Sequence, residues 1–348
     1  MGFIWFWLVA VMMVAYVVFD GFDIGVGILH LFLARNDQER QVMLRAIGPV
    51  WDGNEVWLLA GGGTLYFAFP LLYASAFSGF YLALMIVLWL LIMRGVAIEL
   101  RMQVPMGVWK TFFDGLFFFS SALLAIFYGA ALANVIRGVP LNSEGYFFLP
   151  LWTNWRVGPQ PGILDWYTVI GGLMALAALG VHGALYLVVK TESDLQQRAR
   201  AAFRYLWMVL LPLTIVSLPA SVIARADTLV NYRNHPLTYA VPFMVVFSLL
   251  GMMYFNRGSD DKKAFACSCI YLIVMLVGAA IGFYPRLLPA TTGSSYDITI
   301  ANALTGPHTL HVGLIWWSLG MVLAIGYFVF VYRMFRGKVS LEDGGYEH

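Results

Sequence analysis

Charged side chains are scarce in this chain of 348 residues: they make up 11% of it, whereas 61% of the residues are hydrophobic. A soluble domain carries about a quarter charged residues, so this composition excludes an ordinary soluble protein. The mean hydropathy of +0.77 indicates several membrane-spanning segments. No basic patch interleaved with aromatic residues occurs, so nucleic acid is not an expected partner.

Cysteine is also rare, since Cys267 and Cys269 are the only two in the sequence. Their C-x-C spacing inside an apolar run does not match a common zinc pattern. We interpret them as small packing residues and expect no metal site in this chain. The amino terminus has no positively charged n-region, and its apolar run is too long for a signal peptide. We therefore predict an uncleaved first membrane span.

Nine apolar stretches come close to the ~20 residues that a helix needs to cross a bilayer. This pattern predicts an all-α integral membrane protein with one polytopic domain over residues 1–348. Most Lys and Arg residues fall in the loops after odd-numbered spans and in the carboxyl-terminal tail. By the positive-inside rule, the amino terminus lies outside and the carboxyl terminus is cytoplasmic. The predicted spans are 3–33, 54–74, 76–98, 112–136, 163–189, 203–224, 238–255, 264–284 and 309–332.

Two tracts place acidic residues in or beside these spans. FDGFDIGVG (19–27) contains Asp20 and Asp23, and GPVWDGNEVWLL (48–59) contains Asp52 and Glu55. A carboxylate at mid-bilayer costs roughly 2.5–3.5 kcal/mol on insertion scales, so it usually faces a protein interior and has a function. Each pair has i,i+3 spacing on one helix face, and His30 continues the first stripe. We expect all five side chains to converge on the cytoplasmic side as a proton relay.

Simpler roles remain open for these acids. Asp52 precedes a predicted helix and could cap it through the amide of Asn54 or Glu55. Asp20 could accept a hydrogen bond from a neighbouring helix and do nothing else. Gly21 and Gly25 form a small-xxx-small pair, which predicts close approach of a second helix that shields the acids from lipid.

Other polar residues within predicted spans carry weaker signals. His182 in the fifth span is interpreted as a hydrogen-bonded core histidine; haem ligation is the alternative, but no second ligand at matching depth is evident. Arg94, with Glu99 or Arg101 in RGVAIELR (94–101), predicts an ion-pair cluster at the inner surface.

Five tracts together resemble subunit II of the cytochrome bd-type quinol oxidases of prokaryotes. They are FDGFDIGVG, GPVWDGNEVWLL, RGVAIELR, NVIRGVPL (134–141) and HGALYLVVKTE (182–192). The similarity runs from residue 3 to about residue 335. His308 and His311 depart from the family pattern, because small polar residues are expected in this outer loop.

The resemblance implies two four-helix bundles, 1–136 and 163–284, with a peripheral ninth helix at 309–332, in a prokaryotic cell membrane. It implies pairing with a larger subunit I that holds two b-type haems, one d-type haem and the quinol site, with no haem on this chain. The complex would oxidise quinol and reduce oxygen to water with cytoplasmic protons. Asp52 matches the family's proton-path aspartate, and Asp20 and Asp23 match its first-span acids. A small single-span accessory subunit and a bound structural quinone or lipid remain open.

Two other functions compete with this interpretation. A stand-alone proton-coupled secondary transporter could use the same acids, but such transporters often have internal repeats and unwound half-helices, neither of which is visible here. A purely structural subunit with inert acids is the third possibility.

Overall fold

The computed structural model describes residues 1–339, and most of them are helical. Two short strands, β1 (Arg286–Leu288) and β2 (Ile298–Thr299), form an antiparallel pair. Short 3-10 turns lie at Ala226–Leu229, Pro236–Tyr239 and Ser294–Tyr296. The helices are α1 (Gly2–Leu33), α2 (Asp37–Ile47), α3 (Trp51–Ala68), α4 (Pro70–Gly79), α5 (Tyr81–Leu100), α6 (Gly107–Arg137), α7 (Trp166–Lys190), α8 (Ser193–Ala224), α9 (Val230–Asn234), α10 (Ala240–Arg257), α11 (Asp261–Phe283), α12 (Ile300–Ala303) and α13 (Pro307–Met334).

Eight helices within residues 1–339 are long and apolar enough to cross a membrane. They are α1, α5, α6, α7, α8, α10 with its preceding 3-10 turn, α11 and α13. The chain is thus a helical, multi-pass membrane protein, in agreement with the class predicted from composition.

The predicted span at 54–74 is not one continuous helix. It falls on α3 and α4, which meet where Phe69 leaves the helical region with φ −133° and ψ 64°. Pro70 cannot donate a backbone hydrogen bond, and its ring clashes with a continuing helix, so a new helix begins there. Asp52, Asn54 and Glu55 make α3 too polar to count among the eight apolar helices.

Helix α1 lies at the centre of the assembly and packs against α3, α6, α7 and α11. Helix α5 packs on α6, α8 on α7, and α10 on α11. Helix α13 lies at the edge, where Leu310 and Val331 are its only buried residues among those described. Because α1 is surrounded by α3, α6, α7 and α11, every one of its residues from 20 to 30 is buried.

The two ends of the assembly differ in structure. Gly2 lies against Ile300, so α1 begins near the β1–β2 pair, which we call the strand end. At its other end α1 leads into α2 through Ala34 and Asn36, where Asn36 caps α2 by accepting a hydrogen bond from the Glu39 amide. We call this the α2 end.

Close contact between α1 and α7 depends on glycine at two facing positions. A Cβ atom on Gly25 would lie 2.1 Å from the Leu179 carbonyl oxygen and 2.7 Å from Gly183 Cα. At Gly21 a Cβ atom would meet the Leu179 side chain at 3.0 Å. The tightest approach is therefore at Gly25, where backbone lies against backbone.

Replacing Gly25 with alanine is expected to push α1 away from α7 and to destabilise the fold by about 1–3 kcal/mol, the usual cost of overpacking. Gly115→Ala on α6 is the matched control, because a Cβ atom there has nothing within 4 Å. Thermal unfolding of the purified complex, followed by tryptophan fluorescence, measures the difference. Equal midpoints for the two variants would contradict the expected steric clash.

Candidate functional site

Asp20 of α1 and Arg94 of α5 form a buried, bidentate ion pair. The Arg94 Nη1 and Nη2 atoms donate to the two Asp20 carboxylate oxygens over 2.9 and 2.6 Å. Both side chains are 0% exposed. Asp20 lies about 20 Å along the axis from the α2 end of α1, at 1.5 Å per residue. The charge pair is therefore deep within the protein and not at its surface.

Asp23 lies one turn further along α1 and has a neutral partner. Asn54 Nδ2 donates to Asp23 Oδ2 over 2.7 Å, and the Tyr332 hydroxyl donates to Asn54 Oδ1 over 2.8 Å. This chain of hydrogen bonds joins α1, α3 and α13. The second carboxylate oxygen of Asp23, Oδ1, is buried and accepts no hydrogen bond from residues 1–339.

Glu55 connects this interior to the surface of α3. Its Oε2 atom lies 3.3 Å from Arg94 Nη2, and its side chain is 23% exposed. We name Asp20, Asp23, Asn54, Glu55, Arg94 and Tyr332 the central cluster. A single arginine thus binds two of the three carboxyl groups in this cluster, and Asp23 has no cation partner among the described residues.

Asp52 does not join the central cluster, which corrects the expectation that four acids converge. It is exposed on the first turn of α3, and the helix begins without a side-chain cap, so the capping role is also wrong. Asp52 lies about 60° around the helix from Glu55 and about 4.5 Å nearer the start of α3, and at that first turn its side chain is exposed while Glu55 reaches Arg94. These exposures refer to this chain alone.

His30 belongs to a second group, which corrects its expected place beside Asp20. Its Nε2 atom donates to Asp114 Oδ1 over 2.6 Å, at about 15 Å along α1 from Asp20. Arg101 and Arg40 also bind Asp114, at 2.5 and 3.0 Å. Arg101 and Lys110 in turn bind Asp37. We name His30, Asp37, Arg40, Arg101, Lys110 and Asp114 the α2-end cluster.

Two carboxyl groups outside the spans are stabilised in their charged form. Burial works against the charged form of Asp37, but hydrogen bonds from Lys110 and Arg101 outweigh it and lower the pKa of Asp37. Burial likewise opposes the shift at Glu39, whose pKa is lowered by the Arg35 amide and by Arg198. Both acids are therefore anionic at neutral pH, and they help to fix α2 against α6 and α8.

The expected pairing of Arg94 with Glu99 or Arg101 is wrong. Glu99 is exposed on α5, with no ion pair among the described residues, and Arg101 belongs to the α2-end cluster. Arg94 lies on the buried side of α5 with Leu90, Ala97 and Ile98, and its guanidinium reaches α1 from there. Its partner, Asp20, comes 74 residues earlier in the chain.

His182 is a hydrogen-bonded core residue. Its Nε2 atom donates to the Val18 carbonyl oxygen over 3.0 Å, and its Nδ1 atom lies 2.7 Å from the Ser268 hydroxyl. Its ring stacks on Phe265. His30 is held by Asp114 and packs edge-on against Phe117. Both ring nitrogens of His182 are thus engaged, whereas Nδ1 of His30 is buried without a hydrogen-bond partner among the described residues.

Sequence reasoning missed several residues of these networks, and it interpreted Asp114 only as a possible helix cap. Tyr332 and Tyr16 look like ordinary interfacial aromatics in the sequence, yet Tyr332 binds Asn54, and Tyr16 shares a 2.8 Å hydrogen bond with Tyr128 one turn before Asp20. Asp114 lies in the second turn of α6 and binds cations there. An acid so close to Arg101 and Lys110 was the one signal that could have identified it.

Comparisons with known proteins agree with the predicted resemblance. Residues 1–335 match the family model described as cytochrome bd terminal oxidase subunit II. The chain is 31% identical to subunit 2 of the Escherichia coli K12 cytochrome bd-I ubiquinol oxidase, with 98% of this chain and 96% of that protein covered. It is also 31% identical to subunit 2 of the Bacillus subtilis cytochrome bd ubiquinol oxidase, at 98% and 97% coverage.

The fold has a match among solved structures. A chain of the bd oxidase from Geobacillus thermodenitrificans superposes with a TM-score of 0.74, at 14% identity and with 96% and 98% of the two chains covered. At this identity the likeness concerns the fold alone. Because the family model and both relatives span nearly the whole sequence, the chain belongs to the cytochrome bd terminal oxidase subunit II family.

Proposed function

We propose that this chain supports a haem-bearing subunit I in a quinol:oxygen oxidoreductase and supplies it with protons from the cytoplasm. The observation that carries the proposal is the central cluster, which holds three carboxyl groups and one arginine, and that arginine binds only Asp20 and Glu55. An uncompensated buried charge costs several kcal/mol. The cluster can balance its charge by binding a proton, and it can release that proton when charge changes nearby.

The proposed proton route follows the increase in burial from Asp52 inward. Asp52 is exposed, Glu55 is partly exposed, and Asp20 and Asp23 are fully enclosed. Asp52 at the surface would receive the proton, and Glu55 would pass it inward past Arg94. Asp23 has an oxygen without a protein donor, so Oδ1 is where a proton can be held.

Residues on the same network keep the acids in place. Arg94 orients Asp20 through two hydrogen bonds, and Asn54 orients Asp23 while Tyr332 orients Asn54. His182 and Gly25 fix the packing of α1 on α7. In this proposal oxygen is reduced at the haems of subunit I, and this chain supplies only the proton-carrying side chains.

The proposed topology has nine spans in two four-helix bundles, with the α3–α4 pair as the second span and α13 at the periphery. The amino terminus is outside and the α2 end is cytoplasmic, in the inner membrane of a prokaryotic cell. Partial exposure of α3 and α13 leaves a surface for subunit I, and for a small accessory subunit if one is present. The Escherichia coli and Bacillus subtilis relatives are ubiquinol oxidase subunits, which supports a quinol as the reductant.

Purification under mild detergent tests this assignment against a stand-alone transporter. We expect the tagged chain to co-purify with a larger chain, and the reduced-minus-oxidised spectrum to show b-type and d-type haem. A colourless chain that purifies alone and transports protons with a solute would contradict the proposal.

A further inference from the structure

An apolar groove of about 410 Å³ lies between α1, α6, α7, α8, α10 and α11. Its volume is in the range of ordinary ligand sites. Most of its tyrosine hydroxyls are already engaged; for example, Tyr167 shares a hydrogen bond with Ser221, and Tyr232 donates to the Gly278 carbonyl oxygen. The walls therefore favour an apolar chain over a polar molecule.

A cationic cleft of about 610 Å³ lies at the strand end and is lined by Arg137, Arg156 and Arg225. Two of these charges are neutralised, because Arg137 pairs with Asp165 and Arg225 pairs with Asp227. Arg156 is exposed and has no ion pair among residues 1–339. The cleft thus carries a surplus positive charge at its rim.

The groove and the cleft are lined by neighbouring residues at the same three helix ends. Consecutive residues line one and then the other: Ile136 and Arg137 at the end of α6, Tyr167 and Trp166 at the start of α7, and Val222 and Ile223 near the end of α8. Trp166, at the start of α7, is a residue type that is typical of the membrane–water interface. The apolar groove and the unpaired charge of Arg156 therefore lie at the same end of these helices, where Trp166 marks the depth of the lipid headgroups.

We propose that this groove and cleft bind one glycerophospholipid with an anionic headgroup. One acyl chain occupies the groove, and the phosphate lies in the cleft near Arg156, with the Arg225 guanidinium beside it. Charge complementarity selects this occupant, since a neutral isoprenoid could fill the groove but would leave Arg156 without a partner. A phosphate also pairs well with the planar, multi-donor arginine head.

The test measures lipid retention in the assembled complex. The purified complex is stripped with detergent, exposed to vesicles of equal parts phosphatidylglycerol and phosphatidylcholine, washed, and analysed by native mass spectrometry. We expect one tightly held phosphatidylglycerol per complex. Arg156→Glu should lower its retention by about fivefold or more, because each interfacial arginine contributes substantially to anionic lipid binding. Arg156→Lys should retain most of it.

Arg204→Glu is the matched control, because Arg204 is an exposed arginine on α8 without an ion pair in the described part of the chain. It should retain the lipid at the wild-type level, and haem spectra should be unchanged in all three variants. Excess inorganic phosphate should leave the lipid in place. Equal retention in Arg156→Glu, equal binding of phosphatidylcholine, a neutral isoprenoid in the groove, or complete displacement by inorganic phosphate would each overturn the proposal.

Discussion

Replacing Arg94 with methionine should sharply reduce the amount of assembled complex in the membrane. The change removes the only cation that contacts Asp20 among the described residues and leaves two carboxyl groups, Asp20 and Glu55, without their partner. Breaking a buried ion pair from one side costs about 3–5 kcal/mol, because the remaining charge stays buried and uncompensated. Haem content per unit of membrane protein measures the loss.

A double variant separates charge balance from packing at this position. Asp20→Asn combined with Arg94→Gln removes both charges while keeping the side-chain shapes similar, and we expect it to recover much of the lost assembly. Arg204→Met is the control for removing a surface arginine and should assemble normally. Wild-type haem content in Arg94→Met would contradict the described ion pair.

Replacing Asp23 with asparagine should lower quinol oxidase turnover at least about tenfold, equivalent to roughly 1.4 kcal/mol on the barrier. Assembly should be preserved, because Asp23 is bound by the Asn54 amide and not by a cation. An amide of the same shape can still pack there, but it cannot hold a proton at neutral pH. Oxygen consumption with a saturating quinol, normalised to haem, is the measurement.

Asp194→Asn is the matched control, since Asp194 is an exposed acid in the first turn of α8. It should retain full turnover. Turnover of Asp23→Asn equal to that of the control, with intact haem spectra, would leave this chain as a scaffold with inert acids. That outcome would support the purely structural alternative.

Much of the fold follows from the sequence because long apolar runs have few other solutions in a bilayer. The place of α1 at the centre follows from Gly21 and Gly25, which permit close packing on α7. The break in the second predicted span is less evident from the sequence than the spans themselves, although Pro70 and the three consecutive glycines at 61–63 interrupt its apolar run. Its polar start, Asp52 to Glu55, is what separates α3 from the apolar helices.

The partners within the site could not be predicted in the same way. Asp20, Asp23 and Glu55 were identifiable because acids are rare in spans, but Arg94 and Tyr332 reach them from distant helices. Contacts of this kind depend on helix rotation and tertiary packing, which local periodicity does not encode. For the same reason, i,i+3 spacing suggested that Asp52 and Glu55 act together, whereas only Glu55 faces the cluster.

Time-resolved proton uptake tests the central claim most directly. The complex is reconstituted in vesicles with a pH-sensitive dye on the side of the α2 end, and haem oxidation by oxygen is followed in the same sample. We expect Asp23→Asn to slow proton uptake about tenfold relative to wild type, while the initial oxygen-binding step keeps its rate. Uptake at the wild-type rate from that side would show that protons reach the partner subunit without the buried acids of this chain.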